Sequence, residues 1–549
     1  MNPQNPSKQA DLMQPWALTV DRALTHAARW HADRELVSRQ WDGSLTRTTY
    51  RAVERRARLC SAALLAAGIG HGDRIATLAM NSADHVTAWF GIMGIGAVCH
   101  TVNPRLFDEQ LVYIINHAAD RWLMVDLQFA PLVQRLLPQC PTIERVVYFC
   151  GPSDCPTSHA AVSFDTLLES AVESAAEPVV WGNFDEHSAA ALCYTSGTTG
   201  HPKGVLYTHR SQMLHTLIIQ SRDAVALSAV DTALAIVPMF HVNAWGIPFA
   251  AATAGARLVL PGARLDGASV YELIEQERVT VSAGVPSVWQ LLLEYMAKNK
   301  LRLSAMRRVI IGGSACPESL IRGFQEDHGV EVTQAWGMTE MSPIGTMGSP
   351  TEAIAAADDA TRLRYTAKQG RVLFGVDLQI TDDEGLTLAH DGHTQGHIQV
   401  KGPAVLRRYY GDDKDTVGKD GFFDSGDIGT IDAHGYMEIT DRAKDLIKSG
   451  GEWISSVEIE NLAVGHPAVQ LAAVIAIPHV RWRERPLLVI QLKEGRQATP
   501  EELLKFLEGK IARWWMPDAV VFVEQMPLGA TGKLDKKKLR VQFADFTPP

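Results

Sequence analysis

Twice along this chain, runs of strand length alternate with stretches whose apolar residues recur at helical spacing. That alternation restricts the fold more than any other feature of the sequence. In the first series, from Trp16 to about Asp185, Tyr50 to Ala67 carries an apolar stripe that Gly68 and Gly70 stop. Arg74 to Ala79 reads as a strand, Ser82 to Ile95 as a helix, and Val98 to Val102 and Trp122 to Val125 as strands again. Strands joined through helices pair in parallel, so this is an α/β arrangement. A second series starts with the apolar run Ala189 to Tyr194. It continues through Thr232 to Val237, Arg257 to Leu260, Thr280 to Ala283 and Arg308 to Ile311, with a helix over Ser287 to Lys298. Near residue 370 the texture changes to short alternating strands (Val376 to Thr381, His397 to Lys401, Tyr436 to Ile439) separated by DDEG and DAHG turns. The expected fold class is therefore α/β. A large N-terminal domain (1–440) would comprise two α/β subdomains (1–190 and 191–345) and a small β-rich subdomain (346–440). The charged stretch 441–448 would link it to a small α+β C-terminal domain, 449–549.

A chain of 549 residues is too long for one hydrophobic core, which fits this division. The formal net charge of −10 excludes a general nucleic-acid binder, which would carry a basic balance. Seven scattered cysteines, odd in number and mostly in apolar surroundings, point to a reducing, cytoplasmic compartment. Cys150, Cys155 and His159 have no fourth ligand at a standard zinc spacing. The N-terminus lacks the basic start and apolar core of a signal peptide, and no apolar run reaches the roughly 18 residues of a membrane span. Gly91 to Gly96 (GIMGIG) mimics a dinucleotide fingerprint, but it lies at a helix end, where close helix packing explains it better.

The stretch Tyr194 to Val205, YTSGTTGHPKGV, interleaves Thr195, Ser196, Thr198 and Thr199 with Gly197, Gly200 and Gly204, and carries Lys203. Glycine lets backbone N–H groups approach an anion, and hydroxyls and an ammonium add donors, so the composition suits a polyphosphate. It is not a Walker loop: Pro202 precedes the lysine and Gly204 follows it. Further polar, glycine-rich or aromatic stretches stand beyond strand-like runs, where α/β sheets gather ligands. They are PMFHVNAW (Pro238 to Trp245), GGSACP (Gly312 to Pro317), QAWGMTE (Gln334 to Glu340), DSGD (Asp424 to Asp427), DRAKDLIKSGGEWIS (Asp441 to Ser455) and PLGATGK (Pro527 to Lys533).

In this order and spacing the motifs resemble the adenylate-forming superfamily of acyl-CoA synthetases, luciferases and peptide-synthetase adenylation domains, over nearly the whole chain. Within it, HTVNPRLF (His100 to Phe107), PMFHVNAW and DLIKSGGEWISS are most similar to bacterial medium- and long-chain fatty-acyl-CoA ligases and methylmercaptopropionyl-CoA ligases. The resemblance implies ATP, coenzyme A and Mg²⁺, and two half-reactions: formation of an acyl-adenylate, then thioester formation. It assigns the β- and γ-phosphates to Thr195, Ser196, Gly197, Thr198, Thr199, Gly200 and Lys203, and the metal to Thr195 and Glu340. Gly313, Ser314, Ala315, Gln334, Ala335, Trp336, Gly337 and Thr339 would surround the nucleotide, with Trp336 stacking where the family usually has tyrosine. Asp427 would bind the ribose hydroxyls, with Arg442 nearby. Lys533 would bridge the acyl carboxylate and α-phosphate in the first step. His241, Val242, Trp245 and Gly313, together with Ala283 to Ser287, would form the acyl pocket, with Trp245 as a gate and His241 at the channel mouth. The family's hinge falls at Lys444, and rotation there would present Lys448, Gly450, Gly451 and Trp453 to coenzyme A. Arg483 stands where relatives often have glycine.

The same resemblance suggests a homodimer acting on a small carboxylic acid. Two other readings remain open at this level: an acyl-adenylate ligase serving a carrier protein or an amine, and a nucleotide-binding protein without turnover.

Overall fold

The computed structural model describes residues 13–158, 161–173, 179–195, 201–450, 452–529 and 534–547. Three sheets organise them. The first orders its strands Val162–Ser163, Arg145–Phe149, Trp122–Asp126, Arg74–Leu78, Val98–Thr101, Ala189–Tyr194 and Gly204–Thr208. All of its pairs are parallel except the last. The second sheet has a parallel half built on Arg257–Leu260, Thr232–Ala235, Val281–Gly284, Arg308–Gly312 and Glu331–Gly337. It then turns antiparallel through Ile344–Met347, Gly370–Val372, Tyr436–Arg442, Phe423–Ile431, Gly396–Lys401 and Asp377–Thr381.

Side-chain alternation along the strands explains the layering. On the first sheet Ile75, Trp122, Met124 and Val147 face one core, while Ala76, Leu78, Leu123, Val125 and Val146 face another. On the second, Leu258, Leu260, Ala283 and Ile310 join the first of these cores, and Val259, Val309, Ile311 and Val332 face a third. The shared core thus lies between the two sheets. It is filled by helices such as Ala83–Gly94 and Ile247–Ala254, whose Trp89 and Phe249 rings stack at 5.7 Å. Both faces of each parallel sheet are covered, as parallel sheets require.

The sheet boundaries differ from those read in the sequence. Glu35–Arg39 leaves the first α/β stretch to pair with Arg257–Leu260, and Leu45–Thr49 follows it as its antiparallel partner at the edge of the second sheet. Gly204–Thr208 stays in the first sheet as the antiparallel partner of Ala189–Tyr194. The β-rich residues continue the second sheet through the pair Thr346–Val372 instead of standing apart. Within the charged stretch 441–448, Asp441 and Arg442 close one strand, and Ile447–Ser449 is another. Asp441 is fully buried; one carboxylate oxygen accepts from the backbone N–H of Ser456 at 2.6 Å.

Beyond it, Val469–His479 and Arg483–Leu492 form an antiparallel pair extended by Ala519–Phe522 and Ile447–Ser449, with cores of their own on both faces. Among the described residues no helix is long and apolar enough to cross a membrane.

GIMGIG is a helix-packing element. A Cβ at Gly91 would lie 2.9 Å from the Ala57 carbonyl oxygen, and one at Gly94 would lie 2.5 Å from the Trp181 indole. Gly91→Val is therefore expected to destabilise the protein by about 1–3 kcal/mol by overpacking. Gly70→Ala, at a site with no atom within 4 Å, should change stability by less than about 0.5 kcal/mol. Thermal unfolding of the two variants checks the contrast.

Candidate active site

The site forms where the second sheet changes direction. Glu331–Gly337 runs parallel to Arg308–Gly312 on one side and antiparallel to Ile344–Met347 on the other. The chain reverses through residues 338–343, with a register shift at Trp336/Gly337. A Cβ on Gly337 would sit 1.9 Å from the Pro343 carbonyl oxygen, so only glycine allows this approach. The turn carries the short helix Thr339–Met341, and with it Glu340.

Trp336, at the end of that strand, donates its indole N–H to Asp427 Oδ2 at 2.9 Å. Arg442 lies directly across the strand pair from Asp427, and its Nε reaches Asp427 Oδ1 at 2.6 Å. A carboxylate only 2% exposed is thereby held from both oxygens. Such charge-assisted bonds orient it as well as compensating its burial. The Ser425 hydroxyl donates to the Ile398 carbonyl at 2.7 Å and accepts from the Asp427 N–H at 3.1 Å, fixing the turn.

Glu340 is 7% exposed, and burial pushes its carboxyl above the usual range, opposed by Tyr409, Arg442 and Lys203. Tyr409 donates its hydroxyl to Glu340 Oε1 at 2.8 Å. The Lys203 ammonium sits 4.6 Å from the centre of the Tyr409 ring. Lys203 belongs to the tip of the hairpin Ala189–Tyr194/Gly204–Thr208, and its carbonyl accepts from the Thr195 N–H at 2.9 Å. The glycine-rich loop is thus closed at its base, beside the buried glutamate.

On the other side, Gly312 abuts Trp245: a Cβ there would be 3.1 Å from the indole and 2.6 Å from the Ala335 carbonyl oxygen. Trp245 lies in a left-handed turn in which Val242, Asn243, Ala244 and Trp245 have φ of 45°, 49°, 51° and 55°, and Gly246 closes it at 76°. For L-residues this costs about 1–2 kcal/mol each, and it persists only where the surroundings fix it. Asn243 supplies part of that, donating to Gln212 Oε1 at 3.1 Å and accepting from the Cys193 thiol. His241 precedes the turn, and its carbonyl accepts from the Ala244 N–H at 3.1 Å.

The structure therefore gathers Trp336, Gly337, Glu340, Asp427, Arg442, Lys203, Thr195 and Trp245 around the ends of adjoining strands. Gly313, with φ of 85°, and exposed Ser314 follow Gly312. The Gln334 side chain is 1% exposed and donates to the Ala367 carbonyl. Thr339 contributes its carbonyl to the Tyr207 hydroxyl at 2.7 Å. Ser196, Gly197, Thr198, Thr199, Gly200, Gly451, Lys533 and the side chain of Trp453 lie outside the described residues. Lys444 is exposed, and Lys448 anchors its backbone N–H on Glu484 Oε2 at 2.8 Å. Gly450, at φ 61°, passes the edges of Trp482 and Trp514, where a Cβ would meet carbons at 3.0 and 3.4 Å. Arg483, where the resemblance led to glycine being expected, adopts a left-handed φ of 73°.

Sequence reasoning missed Tyr409 and Tyr410, although RRYYG places paired tyrosines before a glycine. The Tyr410 N–H donates to the Gly204 carbonyl at 2.8 Å, which ties this segment to the loop. It also missed the stack of Tyr113 on His201, with ring centroids 4.3 Å apart.

The sequence profile described as AMP-binding enzyme matches residues 24–410, and that described as AMP-binding enzyme C-terminal domain matches residues 458–533. A 3-methylmercaptopropionyl-CoA ligase of Ruegeria lacuscaerulensis is 47% identical over 97% of this chain and 98% of its own. A medium-chain-fatty-acid–CoA ligase of Ectopseudomonas oleovorans is 44% identical over 96% of each. Among solved structures, an anthranilate CoA ligase in complex with anthranoyl-AMP superposes with a TM-score of 0.85, at 25% identity, over 96% of this chain and 98% of that one.

The Trp336–Asp427 bond predicts a ribose-specific effect. Trp336→Phe keeps an aromatic face but removes the donor, so ATP affinity is expected to fall about tenfold. Affinity for 2′,3′-dideoxy-ATP, which lacks the hydroxyls Asp427 would hold, should change less than twofold. Calorimetric titration of both nucleotides checks this.

Proposed function

Because the chain belongs to the AMP-binding enzyme family, we propose that it is an ATP-dependent acyl-CoA ligase, converting a carboxylic acid to its CoA thioester with release of AMP and pyrophosphate. The observation that carries this reading is the convergence of Trp336, Asp427 and Arg442 with Glu340 and Lys203 at neighbouring strand ends. An aromatic face, an oriented carboxylate, a buried glutamate and a loop lysine are together the parts that a nucleoside triphosphate needs.

In the first half-reaction a carboxylate oxygen attacks the α-phosphorus and pyrophosphate leaves. The nucleophile is already ionised, so positioning and charge neutralisation matter more than a base. Asp427 holds the ribose, Trp336 stacks on adenine, and the loop from Thr195 to Lys203 retains the β- and γ-phosphates. Lys533 is assigned the role of bridging the attacking carboxylate and the α-phosphate. In the second half-reaction the thiol sulfur of coenzyme A attacks the acyl carbon, and AMP departs with the former carboxylate oxygen. Rotation about the segment 441–448, with Lys444 at the hinge, withdraws Lys533. It brings Gly450, Gly451 and Trp453 to the path of the pantetheine arm, with Lys448 available for an anionic group.

The residues fit a Mg²⁺ ion: a buried carboxylate at Glu340 and the hydroxyl-bearing Thr195 at the loop base are hard oxygen donors. Bound there, the ion would neutralise polyphosphate charge. The acid is proposed to be a medium- or long-chain fatty acid or a short thioether acid such as 3-(methylthio)propionate, entering past His241, Val242 and Trp245. The 3-methylmercaptopropionyl-CoA and medium-chain-fatty-acid names of the similar ligases support that range. We further propose a cytoplasmic homodimer.

Lys533→Ala is expected to lower acyl-adenylate formation by 10²-fold or more. It should leave conversion of supplied acyl-adenylate to acyl-CoA within a few fold, and equal loss in both steps would refute the assignment. Gly450→Leu should do the reverse, because its side chain would enter the space beside Trp482. Pyrophosphate release across propionate to palmitate, 3-(methylthio)propionate and an aryl acid identifies the substrate. A preference for the aryl acid would overturn the acyl range proposed.

A further inference from the structure

The segment that follows the β-rich strands does more than close the fold. Leu406 donates its N–H to the Glu340 carbonyl at 2.6 Å, and the Tyr410 N–H reaches the Gly204 carbonyl at 2.8 Å. Between these two anchors stands Tyr409, half-buried, with its hydroxyl on Glu340 Oε1 at 2.8 Å and the Lys203 ammonium 4.6 Å from its ring centre. One side chain thus touches both the buried glutamate and the lysine of the glycine-rich loop, which the sequence separates by more than a hundred residues. Backbone bonds on either side hold it in place.

From this geometry we propose that Tyr409 is a positioning residue for the adenylation step. It orients the Glu340 carboxylate toward a divalent cation and presets Lys203 for the polyphosphate. The inference rests on the acyl-CoA ligase reading for its reaction but on the three side chains alone for its binding consequences. The hydroxyl and the ring serve different partners. The hydroxyl donates to one carboxylate oxygen, which removes the freedom of a glutamate to rotate. The ring offers a π-face to an ammonium, which lowers the entropy lost when a flexible lysine is fixed on phosphate.

The two functions separate by mutation. Tyr409→Phe removes the hydroxyl and keeps the ring; Tyr409→Leu removes both. Mn²⁺ binding to the enzyme–ATP complex, followed by electron paramagnetic resonance, should weaken about tenfold in Tyr409→Phe. Affinity for ATP in EDTA, which reads Lys203 without metal, should be unchanged in Tyr409→Phe and fall about threefold in Tyr409→Leu. Conversion of supplied acyl-adenylate to acyl-CoA should be unaffected in both. The proposal is overturned if Tyr409→Phe binds Mn²⁺ within twofold of the unsubstituted protein. It is equally overturned if the two variants lose metal-free ATP binding, Mn²⁺ binding and thermal stability together, since that pattern is purely structural. If the unsubstituted protein shows the Mn²⁺ and ATP behaviour but releases no pyrophosphate with any acid, the ligase reading fails while the role of Tyr409 in binding stands.

Discussion

The close approach of two backbones at Gly337 is the constraint on which the site depends. With the Pro343 carbonyl oxygen 1.9 Å from where a Cβ would be, no other residue allows the chain to turn back there. The turn converts a parallel sheet into an antiparallel one. It leaves Trp336 at the end of one strand and Glu340 on the reversing segment. The antiparallel extension then delivers Asp427 and Arg442 as opposed residues on adjacent strands. A change in strand direction therefore brings an aromatic ring, two carboxylates and a guanidinium to one place, at the kind of switch point where α/β sheets bind ligands.

Burying carboxylates is costly, and the structure compensates each one locally. Asp427 has Trp336 and Arg442; Glu340 has Tyr409. At the border with the C-terminal domain, Asp441 accepts from backbone N–H groups of Arg442 and Ser456, and Lys536 pairs with Glu460 at 2.8 Å. Arg540 on the last helix contacts Asp445. The Asp441–Ser456 and Asp445–Arg540 bonds tie the proposed hinge segment to the C-terminal residues, so domain rotation would exchange partners for buried charge as well as move atoms. The strained left-handed turn at Val242 to Trp245 is another local cost, placed where Trp245 meets Gly312.

Much of this was legible in the sequence because strand and helix periods differ. Tyr50–Ala66, Ala83–Gly94 and Pro286–Asn299 fall within a residue or so of their expected spans, and Ser82 caps the helix it was read as opening. Site residues in glycine-rich strand ends were legible for the same reason, since local composition marks them. What stayed hidden depends on distant partners. Nothing local in the charged stretch Asp441 to Lys448 shows that Asp441 is buried, with its carboxylate on the first turn of a helix that begins after it. Gln334 sits in a site motif, yet its side chain turns to Ala367. Tyr409 resembles any surface tyrosine until the fold brings Glu340 and Lys203 to it. No glycine within Val242 to Trp245 announces a left-handed backbone.

The central claim is that one carboxylate oxygen of the acid becomes bonded to the α-phosphorus before the thioester forms. Turnover of a carboxylic acid labelled with ¹⁸O in both carboxylate oxygens, with ATP and coenzyme A, tests it directly by mass spectrometry of the nucleotide and phosphate products. One ¹⁸O atom in AMP and none in pyrophosphate is the predicted result. Label in phosphate or pyrophosphate, or its absence from AMP, would contradict the account.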